Sequence, residues 1–330
     1  MRADRTSLVE NSWLAFHVFY HGDQDALLWR CVRPLIHELR SGGRISDYFF
    51  VRYWNGGPHV RLRVKAGLDP TSTRETIRNA VVRFLTDAPG GTAITADQYE
   101  PKAKLRGSAR GSTAEDEQVE PLRPPDTIEE REYDYEAVRY GNGQAARDAT
   151  EHHFRFSSDL AMFILGQTLD DMDARLTVAL SLSAETARGL GFDTVTTAKT
   201  FREASELLDR AFPDARPSHT DSFAARGFPD PAILRPQVAS IVRGIFRGDP
   251  SPAGGAELKR VLAAWRENLR QTSEAIAASA PRVADSARCR LVAIDYMHML
   301  NNRLGIPVDQ ECFAYKLVAD ALESQLAGMP

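Results

Sequence analysis

The hydrophobic pattern of the chain changes its period near residue 135, and this change limits the folds open to it. Before that point, three short stretches rich in aromatic and β-branched residues have the pattern of strands: Trp13–Tyr20, Tyr48–Trp54 and His59–Lys65. From Tyr135 onward, apolar residues recur every three to four positions, which is the period of helices with one buried face. The segregation predicts an α+β fold, a small antiparallel sheet followed by a larger helical bundle.

Two helices are expected between and after these strands. Apolar residues recur with helical spacing over Gln24–Arg40, which Gly42-Gly43 terminates, and over Thr71–Asp87. The turn sequence Asn55–Pro58 joins the second and third strands into a hairpin. The resulting β-α-β-β-α order resembles part of a ferredoxin-like unit.

A different composition marks residues 99–134. The part from Tyr99 to Thr127 is rich in proline and small residues, basic over Lys102–Arg110 and acidic over Glu115–Glu120. Such a segment predicts a mobile loop, with a weak β-edge at its start. We therefore expect a sheet region over 1–98, the loop over 99–134 and a helical region over 135–330, integrated in one domain.

Seven helices are expected in the helical region. They are Ala145–Leu169, Asp173–Gly189, Phe201–Ala211, Ala232–Phe246, Gly255–Ala278, Val283–Leu304 and Asp309–Ala327.

The overall charge and the cysteine content exclude several classes of protein. With 41 Lys and Arg against 45 Asp and Glu, the net charge of -4 argues against direct nucleic-acid binding. The chain lacks an apolar run long enough for a membrane helix, and from the polar first 12 residues we expect no signal peptide. Three cysteines without metal-ligand spacing predict reduced thiols, so we expect a cytoplasmic protein.

The third strand carries the most distinctive charge pattern. Because alternate side chains of a strand share a face, His59, Arg61 and Arg63 point one way while Val60 and Val64 point to the core. Adjacent cationic groups repel each other, and arginines bind carboxylate or phosphate in a bidentate manner. The pattern fits an anion site. It also fits a solvated face that acidic residues on a neighbouring strand neutralise.

Two later segments also carry candidate residues. Glu136 and Arg139 lie three positions apart, a spacing typical of a helical ion pair, and that pair can be purely structural. On the helix near the C-terminus, Asp295, His298, Asn301 and Asn302 fall close to one face. There Asp295 can orient His298 for proton transfer, or the histidine can be a satisfied core residue.

Motifs for bound cofactors are absent from the sequence. It contains neither an HExxH nor a CxxC pattern, and neither a glycine-rich phosphate loop nor a serine in a GxSxG context. We therefore expect no metal and no cofactor.

Taken in order, five segments resemble a known family. They are FFVRYW with the turn into HVRLR, then YEAVRYG, EHHFRFSSDLA and HMLNNRLG. The sequence resembles the C-terminal, glutamate-eliminating domain of class I lantibiotic dehydratases, whose stand-alone copies are known as thiopeptide-type bacteriocin biosynthesis proteins. The resemblance extends from Trp13 to about Gly305.

The resemblance implies an enzyme that matures a ribosomal precursor peptide carrying a leader. In one branch, glutamate is eliminated from glutamylated Ser or Thr, leaving dehydroalanine or dehydrobutyrine, after a separate subunit has used glutamyl-tRNA to glutamylate the peptide. In the other, a pyridine synthase joins two dehydroalanines by a formal aza-cycloaddition and expels water and the leader. A third alternative is a non-catalytic subunit of a split dehydratase that docks the precursor.

The resemblance also implies site residues. The functional positions of the family fall on Arg61, Arg63, Arg139 and His298, which would be catalytic. Residues near them would contact the substrate, namely Tyr53, His59, Glu136, Tyr140, Asp295 and Asn302. We also expect the sheet edge beside Trp13–Tyr20 to bind a leader peptide by strand addition, unless the 99–127 loop covers that edge.

Overall fold

The computed structural model describes residues 13–90, 93–99, 119–133, 135–140, 143–211, 231–247, 256–279 and 286–327. The chain divides into two compact units. The first contains the sheet, the helices up to residue 90 and residues 154–170; the second contains residues 136–153 and the chain from 171 onward. Within the described ranges, no helix is both long enough and apolar enough to cross a lipid bilayer.

The first unit is built on a four-stranded antiparallel sheet. Its strands are β1 (Trp13–Phe19), β2 (Ile45–Tyr53), β3 (His59–Ala66) and β4 (Thr127–Arg131), in the order β2-β3-β1-β4. Strand β1 lies beside β3, with His17 opposite Arg61 and Phe19 opposite His59. This register determines which side chains of the three longest strands share a face.

Strand β4 differs from the sequence prediction. It lies inside the segment 99–134, which was expected to be a loop, and it pairs along β1 from residue 15 to residue 19. The prediction of an open sheet edge beside β1 is therefore wrong, because β4 pairs with β1 there. The short sequence TIEER has three charges in five residues, so it lacks the apolar alternation that marks a strand. Residues 100–118 of the predicted loop lie outside the described residues.

One face of the sheet is apolar and packs on helices. Between β1 and β2 the chain forms α1 (Gln24–Leu27), a π-helical turn (Leu28–Val32) and α2 (Arg33–Ser41), and α3 (Pro70–Asp87) follows β3. The expected single helix over 24–40 thus contains a wide turn, in which the amide of Arg33 donates to the carbonyl of Leu28. Pro34 follows directly and lacks an amide hydrogen, which disfavours regular α-helical bonding there. The core consists of the buried residues Phe16, Val18, Leu27, Leu28, Leu39, Phe50, Val60, Leu62, Val64, Ile77 and Val81.

The second unit is helical. Its helices are α4 (Ala137–Tyr140), α5 (Gln144–Gln167, of which the second half belongs to the first unit), α6 (Met172–Gly189), α7 (Thr194–Ala211), α8 (Pro231–Arg247), α9 (Ala256–Ser279), α10 (Ser286–Leu304) and α11 (Val308–Ala327). Five of them, α6, α7, α8, α10 and α11, share one hydrophobic core. On α9, buried Trp265 donates from Nε1 to the carbonyl of Leu182, 3.0 Å away, on α6.

The turn between β2 and β3 gives a first testable prediction. Gly57 has a φ of +110°, and a Cβ there would lie 2.9 Å from Cδ1 of Leu122 and 3.1 Å from Nε2 of His21. We expect Gly57→Ala to lower the free energy of unfolding by about 2–4 kcal/mol, because a φ of +110° lies outside the left-handed region that alanine can adopt and the new Cβ also displaces two side chains. Gly43, with a φ of +64° and an open surrounding, is the matched control. Gly43→Ala should cost only about 1–2 kcal/mol. Urea unfolding measures both, and equal losses would show that neither the larger φ nor the close contacts at Gly57 add to the cost.

Candidate functional site

The second face of the sheet is basic. The strand register places His59, Arg61 and Arg63 of β3 on this face together with His17 of β1 and Arg131 of β4. Val60, Leu62 and Val64 point to the opposite, apolar face and are fully buried. The alternation predicted for β3 is observed, and with His17 of β1 and Arg131 of β4 the face has three arginines and two histidines.

Arg61 and His59 contact each other and Tyr53. The guanidinium carbon of Arg61 lies 3.3 Å from the centroid of the Tyr53 ring, a close cation–π arrangement. Nε of Arg61 donates to Nε2 of His59 at 3.4 Å, and Nδ1 of His59 lies 2.8 Å from the carbonyl oxygen of Gly57. Because Arg61 can only donate, Nδ1 of His59 carries the proton and donates to Gly57. Burial lowers the pKa of His59 to about 3, so this ring is neutral.

Arg63 and His17 form a second, buried pair on the same sheet face. Their exposed fractions are 8% and 3%, and Nη2 of Arg63 lies 3.3 Å from Nε2 of His17. Burial, and then the charge of Arg61, lowers the pKa of Arg63 to about 9; burial and the neighbouring arginines lower the pKa of His17 far below its ordinary value. Nη1 of Arg63 and Nδ1 of His17 are buried and have no hydrogen-bond partner among the described residues.

The acidic residues of this region bind other arginines. Glu120 accepts two hydrogen bonds from Arg131, at 2.8 and 2.9 Å, and Glu129 accepts another at 2.8 Å. Burial alone would raise the pKa of Glu120, but the hydrogen bonds from Arg131 hold it below its usual value. Arg123 adds weaker ion pairs to the same two carboxylates. Among the described residues, no ion pair includes Arg63. Neutralisation by neighbouring acids thus does not account for Arg63.

In the second unit, His298 lies in a network that the sequence did not indicate. Nδ1 of His298 on α10 lies 2.9 and 3.1 Å from the two carboxylate oxygens of Glu311 on α11. Tyr315 donates from its hydroxyl to Oε1 of Glu311 at 2.7 Å, and Asn301 donates from Nδ2 to the Tyr315 hydroxyl at 2.9 Å. Glu311, Tyr315 and Asn301 are almost fully buried, whereas 13% of the His298 side chain is exposed.

This network can give His298 a defined tautomer. With Nδ1–H donated to the Glu311 carboxylate, Nε2 is the nitrogen left to accept a proton. Burial, and then Glu311, raises the pKa of Tyr315 well above its usual value, so its hydroxyl stays a donor. Sequence reasoning assigned the orienting carboxylate to Asp295. Glu311 was missed because it lies 13 residues after His298 on another helix, and nothing in the local spacing connects them.

The remaining predicted residues are also in the second unit. Glu136 is half-buried directly before α4, and Tyr140 is buried at the end of that helix, stacked on Tyr296 with centroids 5.8 Å apart. Asp295 and Asn302 are half-buried on α10. The side chain of Arg139 lies outside the described residues.

The predicted site residues thus fall into two groups. Tyr53, His59, Arg61 and Arg63 are in the first unit; the others are in the second. Sequence reasoning missed His17, although the alternation of Trp13, Ala15, His17 and Phe19 along β1 marks it as a residue of the same sheet face. Among the described residues, no group of three His, Cys, Asp or Glu side chains is arranged to hold a metal ion.

Comparisons with known proteins agree with this architecture. Residues 13–322 match the family described as "Lantibiotic biosynthesis dehydratase C-term". A search of curated proteins gave no match.

Three solved structures have a similar fold. The pyridine synthase TbtD from thiomuracin biosynthesis superposes with a TM-score of 0.70 at 20% identity, covering 95% of this chain and 98% of TbtD. The tRNA-dependent lantibiotic dehydratase MibB from Microbispora sp. 107891 gives 0.61 at 18% identity, covering 96% of this chain but 28% of MibB. TsrL gives 0.60 at 19% identity, covering 96% of each chain.

Proposed function

The chain belongs to the lantibiotic biosynthesis dehydratase C-terminal family, and we propose that it matures a ribosomal precursor peptide by eliminating glutamate from glutamylated Ser or Thr. The products would be dehydroalanine and dehydrobutyrine. The observation that carries this proposal is the basic sheet face, on which Arg63 is buried without an acidic partner among the described residues, next to Arg61. Buried charges are normally paired, so this face is suited to an anionic ligand.

The chemistry of elimination matches these groups. A base removes the proton from Cα of the modified residue, the bond between Cβ and the ester oxygen breaks, and glutamate leaves as a carboxylate. Negative charge therefore develops on the leaving group, where arginine donors stabilise it more strongly in the transition state than in the substrate. In this proposal Arg61 and Arg63 bind the glutamyl group. For Arg139, whose side chain lies outside the described residues, the same role rests on the family resemblance alone.

We assign the proton transfer to His298. Glu311 accepts from Nδ1 of this histidine, which leaves Nε2 able to take up a proton. Six further residues are proposed to contact the substrate. Tyr53 and His59 contact Arg61, and the family resemblance implies the same role for Glu136, Tyr140, Asp295 and Asn302. The partners are the precursor peptide, with its leader and core, and a separate subunit that glutamylates it.

A second candidate function is pyridine synthesis. The observation in its favour is the similarity to TbtD, a pyridine synthase, over almost the full length of both chains. In that case, the protein would join two dehydroalanines by a formal aza-cycloaddition and expel water and the leader. The arginines of the basic face would then need another role.

Mass spectrometry with two synthetic peptides distinguishes these reactions. One peptide carries the leader and a glutamylated Ser; the other carries the leader and two dehydroalanines. We expect the purified protein to release glutamic acid from the first peptide and to leave the second unchanged. A macrocycle plus a released leader from the second would establish pyridine synthesis instead. Leader binding without conversion of either would indicate a docking subunit and overturn both proposals.

A further inference from the structure

Two hydrogen-bond donors on the basic face are buried and lack acceptors. They are Nη1 of Arg63 and Nδ1 of His17, and neither has a partner among the described residues. Both side chains are more than nine-tenths buried. A buried donor without an acceptor destabilises the fold, so two of them in contacting side chains indicate a ligand that supplies acceptors.

The contact between the two side chains determines which nitrogen of His17 carries the proton. Arg63 has donors only, so Nε2 of His17, 3.3 Å from Nη2, must accept. A neutral imidazole that accepts at Nε2 donates at Nδ1. The imidazole is neutral because burial and the charges of Arg61, Arg63 and Arg131 lower the pKa of His17 far below its usual value. His17 therefore presents a neutral N–H donor, and Arg63 presents a charged one.

The chemistry of these donors favours an anion with at least two oxygen acceptors. The nearby carboxylates of Glu120 and Glu129 already accept from Arg131, at distances of 2.8–2.9 Å. A neutral donor beside a buried guanidinium lets one negative charge balance the single charge of Arg63. A carboxylate meets these requirements with one charge and two oxygens.

We propose that His17 is a substrate-binding residue, which together with Arg63 forms a carboxylate subsite on the sheet face. The proposal rests on the proposed glutamate elimination for the identity of the ligand, the glutamyl group. His17 donates from Nδ1 to this group, while its Nε2 holds Arg63 in place.

Binding of free L-glutamate to the full-length protein tests the subsite without requiring turnover. Titration calorimetry measures the affinity of the unmodified protein and of three variants. His17→Phe removes both nitrogens but keeps a ring; His17→Asn keeps an amide donor near the Nδ1 position. His37→Phe replaces an exposed histidine on α2 and serves as the control.

We expect His17→Phe to weaken L-glutamate binding about 10- to 100-fold, as removal of a buried hydrogen bond to a charged group does. His17→Asn should recover part of the affinity, and His37→Phe should leave it unchanged. In protein labelled with ¹⁵N at the histidine Nδ1 position, L-glutamate should shift one Nδ1–H signal that His17→Phe lacks.

Two results would overturn the subsite: no L-glutamate binding to the unmodified protein, or equal binding by a folded His17→Phe variant. If His17→Phe fails to fold, the unmodified protein and His17→Asn still decide the matter through the Nδ1–H signal. The glutamylated peptide assay is run in parallel. Binding that depends on His17 without release of glutamic acid would support the subsite and refute the elimination. Release of glutamic acid without His17-dependent binding would do the reverse.

Discussion

Arg63→Met should abolish most of the proposed glutamate elimination while leaving the protein at least as stable as before. Removal of one donor that stabilises developing negative charge typically lowers a rate about 10²- to 10³-fold. An arginine kept for structural reasons would behave differently, because its loss would destabilise the fold. Loss of activity without loss of stability is therefore the signature of a ligand-binding arginine.

The stability part of this prediction follows from the sign of the pKa change. Burial lowers the pKa of Arg63 to about 9, well below its ordinary value, so folding disfavours the charged form. A cation with a lowered pKa contributes stability only at very alkaline pH, above its unfolded pKa. That contribution is lost as pH falls through about 9. At neutral pH only the cost of burying the charge remains, and an apolar side chain of similar length removes it.

Urea unfolding at pH 7 and mass spectrometry of the glutamylated peptide measure the two quantities. Arg74→Met is the matched control, since Arg74 is a partly exposed arginine of the same unit whose Nε lies 2.7 Å from Glu130. It should cost less than about 1 kcal/mol and leave elimination unchanged. The assignment of Arg63 would be wrong if Arg63→Met eliminated glutamate at the normal rate. A large loss of stability would show a structural role instead.

Local patterns were sufficient for the helical region and for the three residues that β3 contributes to the basic face. Alternation along β3 places Arg61 and Arg63 on one face of the sheet and Val60 and Val64 on the other, because successive side chains of a strand point to opposite faces. Helical periods likewise located α6, expected from Asp173 and observed from Met172 to Gly189. Such features depend on residues that are close together in the chain, so they can be predicted from the sequence alone.

Features that arise from distant contacts were not predictable in the same way. Strand β4 forms because β1 offers it a free edge, while its own sequence is too charged to indicate a strand. Glu311 lies against His298 only because α10 and α11 pack together. His17 has no local feature that separates it from an ordinary core histidine, and its importance depends on Arg63 from the neighbouring strand.

Glu311→Gln is expected to lower the rate of the proposed glutamate elimination about 10²- to 10⁴-fold, the range that a positioned general base contributes. The two side chains have nearly the same shape, so packing is conserved. What changes is the chemistry at Nδ1 of His298. A carboxylate can only accept from Nδ1–H, whereas the amide of glutamine can donate to Nδ1. Donation would place the histidine proton on Nε2, and the nitrogen assigned to proton uptake would no longer be a base.

Nuclear magnetic resonance of ¹⁵N-labelled histidine measures the tautomer of His298 directly, and the peptide assay measures its consequence. Tyr315→Phe removes one hydrogen bond to Glu311 but leaves the carboxylate on His298, so its rate should fall only about 5- to 10-fold. Glu323→Gln, an exposed change on the same helix, should have no effect on elimination. If Glu311→Gln changed the tautomer of His298 without slowing elimination, another residue would have to be the base. If it slowed elimination without changing the tautomer, Glu311 would act through its charge, because a carboxylate stabilises the imidazolium that forms when Nε2 takes up the proton.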